Sequence, residues 1–425
     1  MKMMKVLLAA LLVAALATPA LAEFKLNGYY RTQMYSGEFK STTDKDGDSQ
    51  QWTTQRFRAK LTYSLNDNVS VVYYGEVDAD WGLQSKGSIG NGGRFGADGV
   101  NVETKNVYLD TKFDNTHIRL GTQGIADGFD GIVVNADMTG VLASQNYGKT
   151  KLTAFYSKWD EGSRSDWDGT DFYGAKLEQT FTDTLKGSFQ IYYVAENDAD
   201  GNDTATADLF YFGPRLAFVM DNFTLDGFVV FQDGEFEDNT VGGTDIDTFA
   251  YVGSLKASMK IDGGDLNFRF IYGSENDDDK DADFWMADFD QYAFVNENQM
   301  LFLIDPYVTD WAKENYALND SLKQGYGLMA FILSGNHKLP ENMYAKWGLG
   351  YYMAVDDNPD GAAKREGDSL GFEVAARVGK KFFEKVDVSL NGAYASFGDF
   401  YDNTVNGTDD PDSIYKVYAM VNVPF

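Results

Sequence analysis

Basic side chains recur at every second residue in the short segment from Arg56 to Lys60. Arg56, Arg58 and Lys60 share one face of an extended segment, because side chains alternate across a strand. The same parity, applied to the neighbouring segments, predicts one inward-facing basic patch made of Lys25, Arg31, Arg56, Arg58, Lys60, Lys112 and Arg119. A patch of this kind on one wall would attract anions.

Three carboxylates, at Asp127, Asp130 and Asp137, follow the last of these cations. If Asp127 and Asp130 faced the basic patch across a narrow gap, the opposed charges would create a transverse field that orders ions and dipolar solutes. The simpler interpretation is that a polar interior needs charges only to stay wet, and that the aspartates belong to an ordinary solvated surface loop. Both interpretations stay open at this point.

Catalysis finds little support in the residue types. The chain has two histidines, His117 and His337, and neither has a serine nucleophile beside it in the sequence. It has no cysteine, which excludes a disulfide framework and thiolate metal sites. We therefore predict that the protein is not an enzyme and needs no cofactor.

Two acidic stretches, Asp44 to Asp48 and Asp198 to Asp203, resemble the opening of a calcium-binding loop. The twelfth positions are Gln55 and Leu209, where such a loop requires a bidentate glutamate. These stretches predict solvated loops, with weak calcium or other divalent-cation bridging to lipopolysaccharide as the alternative.

The elements that carry these charges have the period of β-strands. In 266–272, 370–378 and 386–394, apolar residues alternate with polar ones, and the charged residues all lie on the polar face. The last segment, 415–425, alternates in the same way and stops on Phe425. Such strands suit an apolar exterior and a wet interior, because a Lys or Arg facing mid-bilayer lipid would cost about 2–4 kcal/mol.

Short and long connections alternate along the chain. The short ones are polar turns such as Asn66 to Asn68 and Asp262 to Gly264. The long ones are rich in Gly and Asp and cover 38–50, 82–103, 125–138, 160–170, 197–206, 233–245, 274–322, 356–368 and 399–412. This asymmetry predicts an all-β transmembrane antiparallel barrel of eighteen strands, with short periplasmic turns and long extracellular loops. Sixteen strands is the alternative, because 139–147 is weakly patterned and 325–338 is apolar on both faces.

The N-terminal 22 residues have the pattern of a secretory signal peptide. Lys2 and Lys5 precede an apolar run, and Ala20-Leu-Ala22 forms a small-residue cleavage site. We expect residues 23–425 to form a single domain, since no linker composition interrupts them. A formal charge of −29 argues against nucleic acid as a partner.

The segment Ile118 to Gln123, followed by 124–138, resembles the strand and inward-folded loop of general bacterial porins. The resemblance implies that the loop near 125–138 folds into the barrel, where its carboxylates face basic residues on the wall. It also implies a homotrimer in the outer membrane, and recognition of the terminal strand with Phe425 by the barrel assembly machinery.

The expected function is that of a water-filled channel through which small hydrophilic solutes and ions diffuse passively. A substrate-specific channel for anionic solutes or sugars is the first alternative. A plugged structural barrel is the second, since segment 274–322 combines an acidic start with many aromatic residues and could fill the pore, cap it or pack between subunits.

Overall fold

The computed structural model describes residues 23–39, 48–82, 92–93, 102–159, 169–196, 205–238, 245–277, 283–286, 317–359, 362–402 and 413–425. The signal peptide prediction for 1–22 lies outside these residues, as does the Asp198 to Asp203 stretch. Of the Asp44 to Asp48 stretch, only the backbone of Asp48 is included.

Eighteen long strands form one antiparallel sheet within the described residues. In chain order, β1 to β18 are Glu23–Phe39, Asp48–Asn66, Val69–Trp81, Glu103–Phe113, Thr116–Ala126, Asn135–Tyr147, Thr150–Lys158, Thr170–Thr180, Leu185–Glu196, Ala205–Val219, Phe223–Asp238, Ile246–Ile261, Gly264–Gly273, Leu328–Leu339, Met343–Met353, Ser369–Phe382, Val386–Phe397 and Ile414–Pro424.

Short elements complete the described backbone. The pair Gly92–Gly93 lies parallel to the end of β3. Helical turns occur at Ala317–Ser321, Leu322–Gln324 and Asp399–Tyr401. No helix among the described residues is both long and apolar enough to cross a membrane.

The sheet closes on itself between its first and last strands. β1 pairs with β2 on one side and with β18 on the other, in a register that runs from Tyr29 opposite Pro424 to Glu38 opposite Tyr415. Gly28 and Phe425 extend this seam by exchanging two backbone hydrogen bonds, each 3.0 Å long. A Cβ atom at Gly28 would lie 2.0 Å from the carbonyl oxygen of Arg58, so only glycine fits there. The prediction of a closed antiparallel barrel with eighteen strands is confirmed.

The two faces of the sheet differ as the alternation predicts. Large apolar side chains such as Phe57, Leu120 and Leu390 are exposed on the outer face. Their neighbours in sequence point into the lumen. In an outer-membrane barrel the short turns lie in the periplasm and the long loops outside the cell, which gives the two ends of this lumen their names below.

The lumen is not uniformly polar, because an apolar core fills part of its extracellular mouth. Leu328 and Ala330 on the inner face of β14 are fully buried in this core, together with Leu322 and Trp285. This packing explains why the segment 325–338 is apolar on both faces, since one face forms the apolar exterior of the barrel and the other packs against folded loop.

Candidate functional site

The connection between β5 and β6, residues 127–134, folds inward and lies against one wall of the lumen. We call it the inner loop. Its apolar side chains are at most 2% exposed: Phe129, Ile132, Val133 and Val134. The Phe129 ring packs edge-on against Tyr192 of β9, at 6.4 Å between centroids, and against Phe228 of β11, at 5.5 Å. The inner faces of β9 to β13 therefore hold the loop, and we call them the inner-loop wall.

Asp127 organises the backbone of the inner loop. Its Oδ1 accepts hydrogen bonds from the N–H groups of Phe129 and Gly131, at 2.7 and 2.8 Å. Its Oδ2 accepts from Val133 and Val134, both at 2.7 Å. A turn buried inside the barrel needs such an acceptor, because its N–H groups would otherwise have no partner.

The environment of Asp127 has two opposing effects on its pKa. Burial raises the pKa to about 6, although the four N–H donors favour the ionised form. The sequence-based expectation that Asp127 faces the basic patch is wrong, because both carboxylate oxygens are occupied by the loop's own backbone.

Asp130 carries the charge that ties the inner loop to its wall. It lies at a loop position with φ of +61°, and its carboxylate bridges Arg215 of β10, at 2.5 Å, and Arg269 of β13. Burial raises the pKa of Asp130, but the adjacent Arg269 and Arg215 guanidiniums outweigh burial and hold the pKa below its ordinary value. Arg215 also pairs with Asp226 of β11 and donates to the carbonyl oxygen of Gly128 at 2.8 Å.

These contacts correct the predicted partners of Asp130. The expected cations were those of β1 to β5, but the loop tips the other way and meets β10 and β13. Arg269 is recognisable in the sequence as an inward-facing residue, whereas sequence reasoning missed Arg215 altogether. Alternation gives the face on which a side chain lies, and it carries no information on what lies across the lumen.

A close approach at Gly128 completes the attachment. The Gly128 N–H donates to Oε1 of Gln190 at 2.7 Å, and the Tyr192 hydroxyl donates to the same oxygen at 2.7 Å. A Cβ atom at Gly128 would lie 2.3 Å from Nε2 of Gln190. The loop can rest on β9 only because residue 128 has no side chain.

Asp137, the third predicted constriction carboxylate, lies elsewhere. It belongs to β6 and shares a face with Thr139 and with the exposed Val141, which is the outer face. Its carboxylate pairs with Lys105 at 2.6 Å and accepts from the Asn106 amide at 2.8 Å. The inner loop is shorter than the predicted 125–138 because β6 begins at Asn135, so Asp137 does not take part in it.

Several residues of the predicted basic patch are matched by carboxylates on neighbouring strands. The β2–β3 register sets Arg56 opposite Asp78 and Arg58 opposite Glu76, and both pairs form salt bridges. Their charges are therefore compensated locally instead of facing the inner loop.

The rest of the predicted patch is less uniform. Arg119 lies 3.5 Å from Asp110, which also contacts His117 at 2.6 Å. Lys25 pairs with Glu23 at 3.2 Å near the chain start, and the Arg31 guanidinium lies 5.7 Å from the Tyr29 ring centroid. Lys60 and Lys112 lie on the inner faces of β2 and β4 by alternation. Their role in solute passage stays a prediction.

A different pair of cations lies on the lumen wall two and three strands beyond β13, the last strand of the inner-loop wall. Lys346 of β15 and Arg377 of β16 are directly opposite each other in the register, on the inner faces of their strands. Arg377 donates to Oδ1 of Asn391 and to the Tyr418 hydroxyl, at 3.2 Å for the latter. Both acceptors are neutral. We call the inner faces of β15 and β16 the cation wall, and sequence reasoning did not single it out.

Part of the long segment 274–322 packs inside the mouth of the barrel. Trp285 is fully buried, and its ring lies edge-on to Tyr211 of β10 at 5.4 Å between centroids. The side-chain amide of Gln232 in β11 donates to the Phe284 carbonyl oxygen at 2.9 Å and accepts from the Met286 N–H at 2.8 Å. The sequence leaves three placements open for this segment: filling the pore, capping it or packing between subunits. Its described residues lie inside the mouth of the barrel.

Comparison with known proteins gives a clear result for the fold. No protein-family model and no curated protein sequence matches this chain. Among solved structures, Acinetobacter baumannii OccAB1 is similar at 13% identity, with 95% of this chain and 96% of that chain covered and a TM-score of 0.58. This chain has the fold of an outer-membrane porin.

Two further barrels with this fold come from Pseudomonas aeruginosa. OccK2 (OpdF), in complex with glucuronate, is 12% identical, and the match covers 95% of this chain and 98% of that one at a TM-score of 0.56. The outer-membrane protein OpdK, with vanillate, is 11% identical with the same coverage and a TM-score of 0.56. The resemblance to porins is thus confirmed for the fold, while the narrower assignment to general porins stays a prediction.

Proposed function

We propose that this barrel is an integral outer-membrane channel that selectively passes small organic anions, carboxylates in particular. The observation that carries the proposal is the juxtaposition of Lys346 and Arg377 on the cation wall. Like charges directly opposite each other in a sheet are destabilising. Asp387 and Asp265 attract Lys346 electrostatically, but neither cation has a salt bridge with any residue that the structure describes. Such a pair is understandable where a passing anion makes that direct contact.

The inner-loop wall supports the same conclusion by contrast. There, Arg215 and Arg269 are matched by Asp130 and Asp226. Because those charges cancel, the inner-loop wall should contribute less than the cation wall to the field that a solute meets. Two of the similar barrels described above hold glucuronate and vanillate, which are both carboxylates.

The mechanism needs no bond making or breaking. The inner loop narrows the lumen, and the cation wall, which begins two strands beyond β13, offers charge-assisted hydrogen bonds to an anion. An anion exchanges part of its hydration for these contacts and moves on down its gradient. Trimer formation and recognition of Phe425 by the assembly machinery remain separate proposals.

Single-channel recording in a planar bilayer with a salt gradient tests the proposal. We expect a reversal potential of the sign for anion selectivity, and a current that glucuronate reduces in a saturable way. The double variant Lys346→Gln with Arg377→Gln should shift the reversal potential toward cations. The matched control is Lys158→Gln, which removes a charge paired with Asp171 on β8. Cation selectivity in the unmodified protein would overturn the proposal, and currents that do not saturate would favour general diffusion.

A plugged structural barrel is the second candidate, and the buried Trp285 in the mouth favours it. That function predicts no steady conductance in the unmodified protein. Conductance that appears only after deletion of residues 278–316 would support it against the channel.

A further inference from the structure

A recess of about 470 Å³ opens in the lumen on the periplasmic side of the inner loop. The loop residue Gly128 lies at one side, and the inner faces of β7 to β11 form the remaining wall. Four lysines line it: Lys149, Lys151, Lys176 and Lys186. The recess lies on the side of the barrel away from the cation wall, so it is a separate feature of the lumen.

The charges in this recess do not balance. Arg215 also lines it, but that guanidinium is matched by Asp226 and Asp130. Glu178 is shared between Lys151, at 3.5 Å, and Lys176, at 3.1 Å. The side chains of Lys149 and Lys186 form no ion pair with any residue that the structure describes. Four ammonium groups therefore face a single carboxylate.

The recess lies near the end of the barrel that carries the short turns, and a solute can reach it from that end. Lys149 lies in the short turn between β6 and β7, and Lys186 is the second residue of β9, just after another short turn. Short turns mark the periplasmic end of an outer-membrane barrel. A solute that has passed the inner loop would meet the recess before release, and a solute in the periplasm could enter it directly.

The chemistry of the lining selects the ligand class. An excess of three positive charges suits a ligand that carries more than one negative charge. The hydroxyl group of Ser188 also lines the recess and can donate a hydrogen bond to a carboxylate oxygen. The volume lies within the range of about 300–1,000 Å³ that is usual for small-molecule sites.

We propose that this recess is a periplasm-facing binding site for a small organic dianion such as a dicarboxylate. The inference rests on the proposed anion channel for its physiological role. As a binding site it stands on the geometry and charge of the recess alone.

Block of the open channel by succinate, added to one side at a time, tests this site. A cysteine introduced at Asp262, in a short turn away from the recess, is unique in the chain and reports the orientation of insertion through a membrane-impermeant thiol reagent. We expect succinate to reduce the current at lower concentration from the periplasmic side than from the other side. Acetate, a monoanion, should block more weakly.

The double variant Lys149→Gln with Lys186→Gln should raise the half-blocking concentration of periplasmic succinate about tenfold, as expected for the loss of two charge-assisted contacts. The control is Lys260→Gln with Lys385→Gln, which removes the same charge near the same rim but outside the recess. An equal effect of both double variants would mean that only the general field matters, and would overturn the site. Equal block by acetate and succinate would overturn the dianion class.

Calorimetric titration of succinate into the detergent-solubilised protein separates the two proposals. Binding that is lost in the Lys149→Gln and Lys186→Gln variant supports the site even if the bilayer recordings show no anion selectivity. An anion-selective channel with unchanged succinate binding in that variant would overturn the site and leave the channel function standing.

Discussion

The inner-loop wall and the cation wall use the same kinds of residue in opposite ways. On the inner-loop wall, Arg215 and Arg269 both form salt bridges with Asp130. On the cation wall, Lys346 faces Arg377, which donates hydrogen bonds to the side-chain amide of Asn391 and to the hydroxyl of Tyr418. Cations in direct salt bridges hold a loop in position, whereas cations without a direct salt bridge among the described residues are available to a passing solute.

Replacing Asp127 with Ala should produce the largest change, because it removes the acceptor of four backbone N–H groups. Each buried donor without a partner costs about 1–3 kcal/mol, so the inner loop should leave its wall instead of tolerating all four. We expect a severalfold rise in single-channel conductance and new protease cleavage within 127–134. Asp137→Ala is the control, since Asp137 pairs with Lys105 on the outside. Unchanged conductance in Asp127→Ala would mean that the loop does not limit the pore.

Asp130→Asn should weaken the attachment of the inner loop to its wall. It should also leave Arg269 without a salt bridge to any described residue, as the cations of the cation wall are. Two guanidiniums would lose their common counter-ion, at a cost of roughly 2 kcal/mol, which is below the range for a fully buried pair because solvent reaches this carboxylate. The lumen would also gain a positive charge beside the loop. A salt-gradient recording should therefore give stronger anion selectivity, and weaker selectivity would contradict the assignment.

Lys346→Gln should have the opposite effect on the cation wall. Removing one of two opposed like charges should stabilise the barrel by about 0.2–1 kcal/mol, measured by denaturant unfolding in detergent. The same variant should lose anion selectivity. Lys158→Gln serves as the control, because it breaks a pair with Asp171 and should not raise stability. Parallel loss of stability and selectivity in Lys346→Gln would show that the lysine has a structural partner.

Acidification should have the smallest effect, and its sign follows from the two loop carboxylates. The pKa of Asp130 is lowered in the folded protein, so its contribution is present above the unfolded value of about 4 and is lost as the pH falls through the lowered value. The pKa of Asp127 is raised to about 6, so its contribution is present below about 4 and is lost as the pH rises through 6.

Neither carboxylate therefore loosens the inner loop between pH 7 and pH 5. We expect a flat conductance over that interval and an increase only below about pH 4, where Asp130 becomes protonated. Opening of the channel near pH 6 would contradict the proposed role of Asp130 as the main tie to the wall. Asp130→Asn should show no acid-dependent increase at all.

The sequence predicts the barrel far better than the site. Period-two alternation and the contrast of short turns with long loops depend on local residues, and they give the strand number and the faces. The inward loop near 125–138 is expected only from the resemblance to general porins. The weakly patterned segment 139–147 is still a strand, since it pairs along one edge with β5 and along the other with β7. Local pattern is enough where the structure repeats.

The partners of the inner loop depend on contacts across the lumen, which local pattern does not contain. Asp130 is 85 residues from Arg215 and 139 from Arg269. One local signal could have corrected the role of Asp127: it is followed by Gly128 and Gly131, and an aspartate ahead of glycines often accepts hydrogen bonds from its own turn. That pattern favours a backbone role over a pore charge.

The seam at Gly28 and Phe425 has a consequence for the order in which this molecule can be made. The ring closes between the first and last strands, so no shortened chain that stops before β18 can complete it. Any such fragment would keep two rows of unpaired backbone groups, which invite pairing with other chains. Pairing of segments so distant in sequence is also slow. A newly made copy must therefore be kept from its neighbours until β18 has been made, and a few residues lost from β18 should harm the protein more than a similar loss from a long loop.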